Sequence, residues 1–301
     1  MSTFYSNGKL LLTGEYVVLD GALSFAVPTK HGQSLIVENI AEPKIIWKSL
    51  DEKGDVWFEE IFKIDEITTS HTPNSDIAER LIQILNAAKQ LNSNFLNTKT
   101  GFKVTTKLDF PNNWGLGTSS TLINNIAQWA NVDAYQLLEK TFGGSGYDIA
   151  CAKHNHPITY QIKNDKPIAK EIDFNPTFKD HLYFIHLNKK QNSREGIKHY
   201  HANKQDSKSA IKEIEDITKK MIICKTLEDF DNLINTHETI ISKITKQTPV
   251  KNLLFDDFEG CIKSLGAWGG DFILVTSKIN PANYFKEKGF ETIISYKEMV
   301  L

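Results

Sequence analysis

The stretch FPNNWGLGTSSTLINNIAQWA, Phe110 to Ala130, decides how this chain reads. A Pro-Asn-Asn turn leads into Gly115-Leu116-Gly117, then Thr118-Ser119-Ser120, then a segment with helical patterning. Glycines let backbone N–H groups converge, and a helix N-terminus adds partial positive charge. The arrangement suits an anion; the plainer alternative is a hydroxyl-capped helix start after a glycine turn. The Walker pattern GxxxxGK[ST] is absent. Just upstream, FKVTTKLDF alternates as a strand, so the loop joins a strand to a helix.

Working outward, GKLLLTGEYVVLDGALSFAVPT reads as two β-rich runs joined by a hairpin at Asp20-Gly21. Strands are expected at QSLIVENI, KIIWKSL, DVWFEEIF, PITYQI, HLYFIHL, DFILVTS and ETIISYK. Ser75 caps an expected helix whose apolar positions are Ile77, Leu81, Ile84 and Leu85. Helices are also expected at AYQLLEKTF, SGYDIACAKH and ANYFKEKGF, and from Asp206 to Lys246. The strand-rich early half and helix-rich late half predict an α+β protein of two subdomains, residues 1–175 and 176–301.

Composition narrows the function classes. Charged residues make up 24% and the net charge is −2, so no basic field argues for nucleic acid. The N-terminus lacks the basic region and apolar run of a signal peptide, and no stretch is long and apolar enough to span a bilayer. Cys151, Cys224 and Cys261 form no CxxC pair and fit a reducing compartment. The expectation is a cytoplasmic protein that acts on a small molecule, without nucleic acid or membrane as partner; a homodimer is allowed for. His154 and His156 lie two apart with no third ligand, so no metal site is read there.

Four further segments carry chemistry. Asp148, in GGSGYDIACA, sits among small residues at a helix start, either as a cap or as a base toward a substrate hydroxyl. Lys9 and Glu15 fall on one face of an extended strand if Gly14 does not rotate them. SLGAWGGDFILV places three glycines in five residues before a strand. NKKQNSREG offers Lys189, Lys190, Ser193 and Arg194, either to an anionic substrate group or simply to solvent.

Together these pieces resemble the GHMP kinases, named for galactokinase, homoserine kinase, mevalonate kinase and phosphomevalonate kinase. GKLLLTGEYVVLDG matches the first motif, PNNWGLGTSS the second and GAWGGDF the third, in the family's order. GSGYDIA looks most like the mevalonate and phosphomevalonate kinase segment that carries a catalytic Asp. Thr118 stands where serine is usual, Ser120 where alanine is usual, and Trp268 where glycine is common. The resemblance implies a ribosomal protein S5 domain 2-like N-terminal part, a ferredoxin-like C-terminal part, and ATP-dependent phosphorylation of a small molecule. Asp148 and Lys9 would be catalytic. Pro111, Gly115, Leu116, Gly117, Thr118, Ser119 and Ser120 would hold ATP. Ser119 and Glu139 would contact Mg²⁺. Glu15, Ser145, Gly146, Lys190, Ser193, Arg194, Gly266 and Gly269 would face the acceptor. Phosphomevalonate or mevalonate is the expected acceptor, in isoprenoid precursor synthesis; a sugar kinase and a nucleotide-binding regulator without transfer are the alternatives.

Overall fold

The structure is a computed structural model that describes residues 1–65, 67, 75–191, 193–203 and 208–301. Its contacts group into two compact units that interleave along the chain. The first comprises Met1–Gly8, His31–Asn112 and Gly117–Lys153; the second comprises Lys9–Lys30, Asn113–Leu116 and His154–Leu301. The expected boundary at 175 cuts the chain once, whereas this grouping divides strands β1 (Ser2–Thr13) and β2 (Ser24–Ile40) and the opening loop itself.

In the first unit, β3 (Lys44–Leu50) pairs antiparallel with β4 (Val56–Lys63) and parallel with β5 (Gly101–Leu108). β5 in turn runs antiparallel to β2, from Gln33 opposite Leu108 to Ile40 opposite Gly101. Helices α1 (Asp76–Leu91), α2 (Thr118–Ala130), α3 (Ala134–Thr141) and α4 (Tyr147–Lys153) complete the unit. Leu35, Trp47 and Val104 from the strands share one core with Leu85, Ile123, Leu137 and Ile149 from the helices. Alternation explains the strands, since every second side chain faces this core. α1 starts where expected: the Ser75 hydroxyl accepts the Ala78 N–H. Leu81, Ile84 and Leu85 are buried, whereas Ile77 is exposed on the outer face.

In the second unit, the N-terminal part of β2 pairs with β6 (Ile158–Lys163), which pairs with β7 (Lys166–Glu171). A separate antiparallel sheet has the order β11 (Ile293–Ser295), β8 (Leu182–His186), β10 (Phe272–Thr276), β9 (Ile262–Ser264). Its core joins Ile185, Ile273 and Val275 to Val250 of α8 (Val250–Leu254), to Phe255 just past that helix and to Phe285 of α9 (Ala282–Glu287). The helices α5 (Ser193–Asn203), α6 (Lys208–Ile223), α7 (Leu227–Thr245) and α10 (Tyr296–Met299) also belong here. The helical run expected from Asp206 breaks at Cys224–Thr226, where the Thr226 hydroxyl accepts the Asp229 N–H and starts α7; Asp206 itself lies outside the described residues. The Asp20-Gly21 hairpin is corrected too. Val17–Asp20 forms a 3-10 turn that Gly21 closes with φ 84°, so Asp-Gly ends a helical turn rather than making a two-residue loop. The α+β class holds, with sheets of mixed and antiparallel pairing.

Candidate active site

In the second unit, segments far apart in sequence meet around Asp271. The Lys9 ammonium donates to the Gly115 carbonyl at 2.8 Å, and the Lys9 N–H donates to the Leu116 carbonyl at 2.9 Å. Gly115 has φ 68°, and a Cβ there would lie 2.3 Å from the Asp271 carboxyl carbon, so only glycine fits beside this acid. The Asp271 carboxylate accepts the Gln191 N–H at 3.1 Å, and its backbone N–H donates to the Lys189 carbonyl at 2.6 Å. The Gln191 side chain donates to the Trp268 carbonyl at 2.7 Å. Trp114 meets the Phe272 ring edge-on at 5.4 Å, and a His186 ring nitrogen lies 3.1 Å from the Asn113 carbonyl. Lys9, the Gly115–Leu116 segment, the Gly266–Asp271 turn and the foot of the basic segment are thus brought together.

The turn itself is left-handed at Gly266, Trp268, Gly269 and Asp271. A tryptophan is less permissive here than the glycine common at this position, which would favour an ordinary backbone. Instead Trp268 adopts φ 57° and is buried, a strain of about 1–3 kcal/mol that the surrounding hydrogen bonds must hold. Lys190 and Arg194 are exposed. Arg194 lies in the first turn of α5 rather than in a loop; Ser193 opens that helix, and its side chain lies outside the described residues.

Glu15 is the clearest departure from the sequence reading. Gly14 ends the strand at φ 92°, and Glu15 turns inward instead of sharing a face with Lys9. It is fully buried, so it presents no surface to an acceptor. One carboxylate oxygen takes a charged hydrogen bond from Lys263, and the other lies 3.2 Å from His237 Nε2. Glu238 stands 3.7 Å from Lys263 and accepts the Ser264 N–H at 2.9 Å. Burial works to raise Glu15, yet the Lys263 ammonium beside it holds it below the ordinary carboxylate value. Burial pushes Glu238 up to about 7 and, with Lys263, brings His237 down to about 4. Neutral His237 accepts the Gly14 N–H at Nε2, at 3.0 Å.

In the first unit, Gly117 opens α2 with φ 97°, and no side chain caps the helix. The hydroxyl-cap alternative is therefore not taken, and the first-turn N–H groups keep the character of an anion site. Ser119 is exposed there and Thr118 half-buried. Ser120 turns away: it is buried, and its hydroxyl donates to the Gly117 carbonyl at 2.8 Å, so it offers nothing to a nucleotide. Leu116, in the second unit, is wholly buried and contributes backbone alone; Pro111 is half-buried at the loop entry.

Asp148 lies in the first turn of α4, half-buried, with its carboxylate accepting the Ile149 N–H at 3.0 Å. α4 packs on α2, and the Asn124 amide reaches the Ala152 carbonyl at 3.4 Å. Ser145 and Gly146 immediately precede this helix. Burial, then Asp133, Cys151 and Asp148, push the neighbouring Tyr135 phenol up to about 12. Glu139 is exposed on α3. Among the described residues, no three His, Cys, Asp or Glu gather to hold a metal. Mg²⁺ keeps several waters and needs one or two protein ligands when phosphate supplies the rest. The exposed Ser119 hydroxyl fits that role.

Asp271 and Gln191 stand in the GAWGGDF and NKKQNSREG segments without a role there, and Lys263 lies just outside every segment the sequence singles out. The GGD run held the one usable signal, an acid directly after paired glycines. Lys263 had none, because its partner lies 248 positions away.

No family model matches the sequence. The chain has the fold of the GHMP kinases. It is 24% identical to the mevalonate kinase of Methanocaldococcus jannaschii over 284 residues, 89% of each chain. A Streptococcus pneumoniae phosphomevalonate kinase, in complex with phosphomevalonate and AMPPNP, superposes with a TM-score of 0.72 at 15% identity, covering 98% of this chain and all of that one. A Lactococcus lactis galactokinase complexed with galactose gives 0.67 at 15% identity, covering 95% and 87%. These similar proteins are kinases. No described helix is long and apolar enough to cross a membrane.

Proposed function

We propose that this chain is an ATP-dependent small-molecule kinase whose acceptor is phosphomevalonate or mevalonate. One observation carries the reading: the Lys9 ammonium sits on the Gly115 carbonyl, joining the lysine of the first motif to the glycine loop of the second. The similar mevalonate kinase and the phosphomevalonate kinase fold support the choice of acceptor. The exposed cations Lys190 and Arg194 favour the phosphorylated acceptor, since a phosphate takes charged donors well.

In this reading the uncapped N-terminus of α2 receives ATP phosphate oxygens on the amides of Thr118 and Ser119. Lys9 adds positive charge for the transferred group, and Gly266 and Gly269 shape the turn at the acceptor. Asp148 accepts the proton from the attacking oxygen. The Ser119 hydroxyl would help hold Mg²⁺ against the phosphates, and the ion would supply charge neutralisation there. Phosphoryl transfer depends mostly on positioning and electrostatics, so few groups suffice. Reduced thiols and MgATP are both supplied by a cytoplasm, the compartment this reading assigns.

The test is ADP release with MgATP and a panel of phosphomevalonate, mevalonate, homoserine and galactose. Turnover with either mevalonate compound is expected; galactose preference makes the chain a sugar kinase. MgATP binding without turnover on any acceptor makes it a nucleotide-binding regulator. Asp148→Asn should fold normally and lose about 10²–10⁴-fold in turnover. A loss of about 1 kcal/mol in stability with full turnover would make Asp148 only a cap.

A further inference from the structure

Tyr16 follows the buried Glu15 and is built into the second unit from every side. Its backbone has a positive φ of 65° with ψ −50°, which is unusual for an aromatic residue. Its ring stacks on Tyr200 of α5 with centroids 5.4 Å apart, and the Tyr200 hydroxyl is itself bonded to Asp20. A Cβ at Gly196 would lie 2.7 Å from the Tyr16 hydroxyl, so α5 closes directly over the phenol. The residue is 7% exposed, which leaves little surface for a ligand.

All of this fixes one donor. The Tyr16 hydroxyl gives its proton to the Ala267 carbonyl at 2.8 Å, in the middle of the glycine turn. That turn lies between β9 and β10 and has no ladder to hold it. It is tied by the Gln191 amide at Trp268, by Asp271 at its end, and by Tyr16 at its centre. Its foot is tied as well, because Lys263 is bound to Glu15, the neighbour of Tyr16.

We propose that Tyr16 is a positioning residue for the Gly266–Gly269 turn, holding its backbone in the form that receives the acceptor. The proposal rests on the kinase reading for the word acceptor, but the bracing of the turn stands apart from it. Tyr16 touches no reacting atom; it acts through the Ala267 carbonyl.

The experiment compares Tyr16→Phe with Tyr200→Phe, which removes a hydroxyl from the same stack without touching the turn. Hydrogen exchange is followed in peptides covering 265–271, alongside steady-state kinetics and thermal midpoints. Tyr16→Phe should speed exchange in the turn by about three- to tenfold, the worth of one hydrogen bond. KM for the acceptor should rise by about the same factor, with kcat within about twofold. Tyr200→Phe should leave turn exchange and KM unchanged. Wild-type exchange and KM in Tyr16→Phe overturn the proposal, as does faster exchange spread over the whole unit, which marks a purely structural loss. If the wild-type protein turns over no acceptor, the kinase reading fails by itself, and the exchange data alone decide whether Tyr16 holds the turn.

Discussion

The two units bury polarity in opposite ways. In the first, the Ser6 hydroxyl donates to Asn125 at 2.8 Å, Asn124 donates to Ser6 at 2.9 Å, and Asn125 donates to the Gln33 carbonyl at 2.9 Å. The Thr121 hydroxyl reaches the Gln33 side chain at 2.8 Å. Every member is neutral. In the second unit, Glu15, Lys263, His237 and Glu238 bury ionisable groups together. A neutral network costs little to desolvate once its bonds are made, whereas a buried ion depends wholly on its partner. The first arrangement fixes α2 against its strand under any ordinary condition. The second fixes the start of the glycine turn only while its charges balance.

That contrast breaks most sharply at Lys263. Lys263→Met leaves Glu15 as a buried carboxylate without its cation and should cost about 3–5 kcal/mol in urea denaturation. Adding Glu15→Gln to the same chain should recover much of that loss; failure to recover would mean that packing, not charge, holds the site. Asn125→Ala in the neutral network should cost less, about 1–3 kcal/mol, because it strands hydrogen-bonding groups but no ion.

The smallest effect is the most selective. Glu238 has a folded value of about 7, above its unfolded 4.5, so the folded protein keeps a proton that the unfolded chain releases. Stability therefore falls as pH climbs through about 7. His237, brought down to about 4, acts in the other direction, costing stability as pH falls below 6.5. Glu15, held low, also favours the folded state above its unfolded value and loses that contribution in acid. Above pH 6.5 Glu238 is the group of this cluster that still titrates toward its folded value. Denaturation midpoints of the wild type should decline between pH 6.5 and about 8, and those of Glu238→Gln should stay level. Equal slopes would remove Glu238 from the pH response.

What the sequence made legible follows from range. Period-two alternation, the Ser75 cap and the glycine loop at the head of α2 are local signals, and each is read within a few residues. β7 was missed because KPIAKE lies mostly exposed and carries no alternation. α5 was missed because its face toward solvent is so polar that SREGIKHYHAN resembles a loop. The ion cluster was illegible for a deeper reason. GEY reads as strand surface until the chain turns at Gly14, and nothing near residue 15 announces a lysine at 263. Ser120 failed similarly: a hydroxyl in a glycine loop can face a ligand or its own helix, and composition does not distinguish the two.

The placement of the tryptophans has a practical consequence. Of the five, Trp47, Trp57 and Trp129 belong to the first unit. The second unit has only Trp114 and Trp268, and each is set in a glycine loop that borders Asp271. With the other three replaced by phenylalanine, the protein's intrinsic fluorescence would come from those loops alone. The emission wavelength and quenching of such a variant would then give a label-free optical signal, recorded as a titration, of whatever ligand the loops engage.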